Sequence, residues 1–162
     1  MAAIRGLQMD EDSLFLESSF DSAHLRDIHR FLFSDVYEWA GEYRSVNISK
    51  GSTFCMYPFI AEQLDELFAK LHRERLLGGL NKDELIVRLA YYLGELNAIH
   101  PFREGNGRAQ RAFIRRLAYR NGYLLSFADS SNEEMVEASV ESFNGDNAKL
   151  EALIEKCITP IS

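Results

Sequence analysis

The stretch His100-Pro101-Phe102-Arg103-Glu104-Gly105-Asn106-Gly107-Arg108-Ala109-Gln110-Arg111 gathers an imidazole, a carboxylate, two glycines and a set of guanidiniums. Each has a chemical use. An imidazole titrates near neutrality, so His100 can take a proton from an attacking hydroxyl. Arg108 and Arg111 can clamp phosphate oxygens with the fixed fork of the guanidinium, and Asn106 can donate a further hydrogen bond. Gly105 and Gly107 let backbone N–H groups approach an anion, and a helix opening behind them adds unpaired donors and the positive end of its dipole. Glu104 has the wrong sign for phosphate unless a cation stands between them. A Mg²⁺ ion bridging the carboxylate to a di- or triphosphate, its octahedron completed by water, resolves that. Together these groups describe in-line nucleotidyl or phosphoryl transfer, in which positioning and charge neutralisation supply most of the catalysis.

The elements that must hold this stretch are legible on either side of it. Asn81 with Glu84 reads as a capping box for a helix over 82–99, whose stripe Leu85, Leu89, Tyr92, Leu96, Ile99 is broadened by Ile86, Val87, Ala90 and Leu93. That breadth predicts the most buried, central helix. Pro101 stops it. The next helix is predicted to carry Glu104, Arg108 and Arg111 at i, i+4, i+7 on one face and Gln110, Phe113, Ile114 and Leu117 on the other, ending at Asn121-Gly122.

Upstream, Asp21 or Ser22 can cap a helix over 22–37 with Leu25, Ile28, Leu32, Phe33 and Val36 buried; His29 beside that stripe reads as structural. Trp39-Ala40-Gly41 breaks it. Residues 43–57 alternate as a small β-hairpin turning at Lys50-Gly51-Ser52, and Pro58 opens a helix to about Leu77, stopped by Gly78-Gly79. Ser131 with Glu134 caps a helix to about Phe143, and Asp146 starts a last one through Leu150, Leu153, Ile154 and Cys157. The expectation is an all-α fold with one hairpin: a weakly ordered segment 1–19, in which Leu14, Phe15 and Leu16 can dock, then one helical domain over 20–162.

At 162 residues and 46% hydrophobic, the chain suits one domain with a substantial core. A net charge of −7 supplies no global attraction to nucleic acid or anionic membrane, although Arg108 to Arg120 is locally basic. Two widely separated cysteines, Cys55 and Cys157, suit a reduced compartment. The N-terminus has no apolar core of a signal peptide, and no uninterrupted apolar run is long enough to cross a bilayer. The expected location is the cytoplasm, or a host cell if the chain is part of a delivered effector.

Taken singly, the motif residues have ordinary readings: a helix-terminal histidine, an i, i+4 salt-bridge face, a tight glycine turn. Their convergence argues for chemistry. The stretch resembles the Fic family motif HPFx(D/E)GNGRxxR at every specified position, with Glu104 where Asp is commoner. The similarity extends from about Phe20, through Asp35-Val-Tyr-Glu-Trp-Ala-Gly-Glu-Tyr-Arg44, to about Ile158. It implies a compact helical Fic-like domain transferring AMP from ATP to a Tyr, Thr or Ser hydroxyl of a target protein. His100 would be the base and Glu104 the Mg²⁺ ligand, with Gly105, Asn106 and Gly107 as the anion hole. Arg103, Arg108 and Arg111 would lie along the nucleotide phosphates, and Phe102 would be a core anchor. Lys50, Gly51, Ser52, Thr53, Phe54, Cys55 and Met56 would form a flap that pairs with the target's backbone.

Members of the family are silenced by a helix bearing (S/T)xxxE(G/N), whose Glu pairs with the residue here numbered Arg111. Only Ser13-Leu-Phe-Leu-Glu17 comes near, with Ser18 where Gly or Asn belongs. The resemblance therefore points first to an antitoxin-like partner acting in trans, and second to Ser13–Glu17 acting in cis. Three other functions stay open: a Doc-type phosphotransferase, a nucleotide-binding module without turnover, and a helix-turn-helix DNA binder, which the acidic balance weighs against.

Overall fold

A computed structural model describes residues 18–49 and 53–161. The first helix among the described residues, α1 (Ser22–Phe33), begins where Asp21 accepts a hydrogen bond from the His24 N–H at 3.0 Å, and it buries Leu25, Ile28, His29, Leu32 and Phe33. It ends at Phe33, not at 37. Residues 34–37 turn back through Val36 N–H and Tyr37 N–H donating to the Phe33 carbonyl, so Val36 is 54% exposed instead of buried. The turn places Tyr37 flat on Trp39, ring centroids 4.2 Å apart, ahead of Gly41.

Where a hairpin was expected, the described residues carry one antiparallel bridge, Ser49 to Thr53, with Phe54 N–H donating to Ile48 at 3.3 Å. This is a bridged loop without a ladder. A single turn holding Pro58 then leads into α2 (Ile60–Arg73), which buries Ile60, Leu64, Leu67, Phe68 and Leu71. The helix stops at Arg73, ahead of the expected glycines. Arg75, Leu76 and Leu77 have φ of 58°, 54° and 64°, a left-handed turn that drives Leu77 into the core. Glu74 meanwhile faces Arg88 and Tyr92.

α3 (Lys82–Ile99) opens on the predicted Asn81–Glu84 capping box and packs against α2 and three later helices, the central place its broad stripe predicted. Val87 is the exception at 45% exposed. α4 (Asn106–Arg120) buries Gln110, Phe113, Ile114 and Leu117 as expected. Two three-residue strands, β1 (Tyr123–Leu125) and β2 (Ile158–Pro160), pair antiparallel with Leu124 opposite Thr159. Sequence patterning missed both. Between them lie α5 (Asn132–Phe143), opened by the Ser131–Glu134 capping box, and α6 (Ala148–Cys157). The all-α class stands, and the only sheet among the described residues is this two-stranded one.

One hydrophobic cluster runs from Phe20 to Ile158. Gly94 of α3 lets α5 approach closely, since a Cβ there would lie 2.3 Å from Ser142 Oγ. Ser18 and Ser19 belong to the packed body: Arg116 Nε donates to Ser18 Oγ at 2.9 Å, and His72 Nε2 lies 3.0 Å from the Ser19 carbonyl. The segment Ser13–Glu17, and Leu14, Phe15 and Leu16 within it, lie outside the described residues. Among the described residues no helix is long and apolar enough to cross a membrane.

Candidate active site

α3 ends on His100, whose N–H donates to the Leu96 carbonyl while its backbone turns left-handed at φ 51°, ψ 64°. That conformation is uncommon for a residue with a Cβ, and it swings the chain sharply into Pro101 and Phe102. The imidazole lies flat on the Phe54 ring, centroids 4.0 Å apart and planes 4° from parallel. The 53–56 loop is thereby laid against the side chain proposed as base.

The turn from Phe102 to Asn106 is closed by a reciprocal pair. Phe102 N–H donates to Asn106 Oδ1 at 2.8 Å, and Asn106 Nδ2 donates to the Phe102 carbonyl at 2.7 Å. Asn106 is 4% exposed, and this pair gives its amide a part in shaping the loop beside the expected side-chain hydrogen bond to phosphate, for which Nδ2 keeps a second N–H. Its N–H remains at the helix start. Gly105 caps α4 at φ +81°, and a Cβ there would meet the Phe33 ring at 2.4 Å, so glycine is required twice over.

His29, read from sequence as structural, braces this turn from beneath. Gly41 N–H donates to Nδ1 at 2.9 Å, which fixes the proton on Nε2, and Nε2–H then donates to the Glu104 carbonyl at 2.9 Å. Its ring stacks on Phe102 at 3.9 Å, and Phe102 is fully buried, the anchor that was expected. Burial depresses the His29 pKa, as a ring that must accept at Nδ1 requires.

Because α4 begins at Asn106, Glu104 stands before the helix, and the predicted i, i+4, i+7 stripe holds only for Arg108 and Arg111. The carboxylate still reaches the same cavity. That cavity, about 480 Å³, is lined by His100, Arg103, Glu104, Gly105, Asn106, Gly107, Arg108 and Arg111, together with Phe33, Val36, Tyr37 and Asn132. All eight motif positions proposed for chemistry converge there. No side chain caps α4, so the first N–H groups of the helix have no such partner. Arg103 lies with its guanidinium 5.7 Å from the Trp39 ring centroid. Burial, with Arg115 and Arg108 adding repulsion, lowers the Arg111 pKa, and among the described residues no carboxylate pairs with Arg108 or Arg111.

A second cavity of about 250 Å³ shares Arg111 and Asn132 with the first and is lined by Phe54, Asn97, Met135, Val136, Ser139, Val140 and Phe143. It is the apolar neighbour of a polar cavity. Sequence reading passed over these α5 residues, although Val136 and Val140 stay 54% and 53% exposed on a helix whose only buried residue is Ala138. Phe54 lines this cavity, Thr53 and Met56 are exposed, and Cys55 is half-buried against the core; Lys50, Gly51 and Ser52 lie outside the described residues.

Among the described residues no three His, Cys, Asp or Glu groups cluster as a metal cage. A lone carboxylate facing two guanidiniums suits a cation that takes one protein ligand and fills its other positions from phosphate and water, the habit of Mg²⁺.

The family model of the Fic/DOC family matches residues 19–118. The chain is 43% identical over 159 residues, 98% of its length, to the protein adenylyltransferase VbhT of Bartonella schoenbuchensis, of which it spans 33%. It is 39% identical over 84% of its length to the Escherichia coli K12 protein named "Probable protein adenylyltransferase Fic", of which it spans 68%. The crystal structure of the BepC effector of Bartonella tribocorum with bound AMPPNP superposes with a TM-score of 0.88 at 26% identity, over 99% of this chain and 86% of that one.

Proposed function

The chain belongs to the Fic/DOC family, and on that premise we propose that it is a protein adenylyltransferase moving AMP from ATP to a hydroxyl side chain of a target protein. The observation that carries this reading is the convergence of His100, Glu104, Arg108, Arg111 and the uncapped start of α4 on one cavity. The adenylyltransferase names of the relatives and the AMPPNP in BepC support it. In this reading the apolar cavity beside Arg111 takes the flat base, and the polar cavity takes the phosphates.

His100 receives the proton of the target hydroxyl as its oxygen attacks the α-phosphorus; a phosphodiester bond forms, the bond to the β-phosphate oxygen breaks, and pyrophosphate leaves. The helix N–H groups and Arg108 neutralise the phosphate oxygens, and Arg111 holds the phosphate nearer the apolar cavity. Glu104 would hold Mg²⁺, which when bound supplies charge neutralisation across the phosphates. Residues 53–56 would present an edge to the target's extended backbone, and Phe54 keeps that edge against the base.

A carboxylate brought to Arg111 would compete with phosphate, since the unpaired, half-buried guanidinium gains from any anion that reaches it. We place that carboxylate on the inhibitory helix of a separate antitoxin-like partner.

The test is incubation of the protein with α-labelled and γ-labelled ATP, with and without Mg²⁺ and with lysate as a source of targets. The reading expects covalent α-label only, dependent on Mg²⁺. Covalent γ-label alone would make the protein a phosphotransferase.

A further inference from the structure

Arg44 lies far from the motif in sequence, yet it is 2% exposed and every acceptor of its guanidinium is a main-chain carbonyl. Nε donates to His100 at 2.7 Å, Nη2 to Ile99 at 3.1 Å and to Cys55 at 2.5 Å, and Nη1 to Val46 at 2.8 Å. Its own N–H donates to the Pro101 carbonyl at 2.9 Å. The last carbonyls of a helix have no partner within it, and a cation there also meets the negative end of the dipole. Arg44 fills that place on α3, without any carboxylate to balance it among the described residues.

What sets Arg44 apart from an ordinary helix-end cation is its other hand. Val46 and Cys55 are the two limbs of the loop that bridges at Ser49 and Thr53, so one planar side chain fastens both limbs to the carbonyl of His100. Cys55 N–H adds a parallel tie to the Ala98 carbonyl at 3.2 Å, and Phe54, between the tied residues, stacks on the imidazole. A lysine has three donors radiating from one atom and cannot span carbonyls on two sides of a plane.

We propose that Arg44 is a positioning residue for the transfer reaction, holding the His100 backbone and the two loop limbs at Val46 and Cys55 as one unit so that base and target-receiving edge keep a fixed separation. This rests on the reading of His100 as base and of the loop as the target's docking edge. Arg44 lines neither cavity. Its effect is on geometry: misplacing a reacting group by about 1 Å can cost about 100-fold in rate.

The test compares Arg44→Gln and Arg44→Lys with the unaltered protein in two measurements. In automodification with α-labelled ATP, Arg44→Gln is expected to lower kcat about 100-fold with KM for ATP within about twofold, and Arg44→Lys to recover about tenfold of that loss by keeping the charge at the helix end. In amide exchange, the Phe54 and Cys55 N–H groups are expected to lose protection in both variants while the amides of α2 and α3 keep theirs. A KM for ATP rising in step with the fall in kcat, wild-type kcat in Arg44→Gln, intact protection at Phe54 and Cys55, or failure of Arg44→Lys to fold would each overturn the inference. Absence of α-label transfer by the unaltered protein would instead sink the AMP-transfer reading, and the exchange measurement would still decide whether Arg44 holds the loop.

Discussion

Two arginine-bearing regions of this molecule have opposite fates. At the α2–α3 end, Arg88 meets Glu74 with both arms of its fork, Nε to Oε1 at 2.8 Å and Nη2 to Oε2 at 2.7 Å, while Tyr92 donates to the same carboxylate and the guanidinium lies 4.3 Å over Tyr91. At the start of α4, Arg108 and Arg111 share a cavity with one carboxylate and no ion pair. The first arrangement is complete without a ligand. On the proposed reading the second becomes complete when an anion enters, and that difference would separate an arginine kept for the fold from one kept for a substrate.

The sharpest break falls on the chemistry. His100→Ala is expected to lower AMP transfer about 100- to 10,000-fold, because the base goes while the phosphate cradle stays. ATP binding by calorimetry should be unchanged, and transfer at the wild-type rate would make His100 structural.

Next in size is an acid effect on the two histidines of α1. His24 is 2% exposed between Phe20 and Phe113, and burial pulls its pKa from 6.5 down to about 4; His29 under the motif turn is lowered for the same reason. Both are held toward the neutral form in the fold while the unfolded chain takes up protons. Stability is therefore full above pH 6.5 and drains as the pH falls toward 4, with His24 alone accounting for about 3 kcal/mol. Urea titrations across that window should show the slope, and His24→Gln should flatten most of it.

The arginine comparison itself can be broken by paired substitutions. Arg111→Ala is expected to weaken ATP about 10- to 100-fold, the worth of a charge-assisted hydrogen bond to phosphate, with no loss of melting temperature because repulsion from Arg108 and Arg115 is relieved. Arg88→Ala should do the reverse, costing about 1–2 kcal/mol of stability after allowance for a pair still 28% exposed on each side, and leaving ATP affinity alone. If Arg88→Ala weakens ATP as Arg111→Ala does, the two regions are not separable.

The helices were legible because their signals are local: capping pairs at Asn81 and Ser131, an apolar stripe along α3, and glycines where the chain must turn left-handed. The set of residues that lines the polar cavity was legible because the motif packs its groups within a few turns of chain. What escaped depends on distant partners. Arg44 shows its use only when residues 46, 55, 99 and 100 are brought around it, and His29 only when Gly41 and Glu104 meet its two nitrogens. Asn106 looked like a phosphate donor only, and its closing bonds to Phe102 show once the turn is folded. Val36, periodic with the buried stripe of α1, came out exposed because the helix ends three residues earlier. The strands Tyr123–Leu125 and Ile158–Pro160 are too short to leave a period in the sequence.

The backbone of His100 has an evolutionary consequence. Its left-handed conformation costs a residue with a Cβ about 1–2 kcal/mol, and glycine at the same place would be nearly free of that cost. Selection for folding alone would remove the histidine, and on the proposed reading selection for chemistry retains it. In a lineage that has lost its target, drift at this position should run toward glycine or asparagine while Phe102 and Gly105, which the fold itself demands, persist. A degenerate copy of this protein would then be recognised by an intact turn behind a missing base.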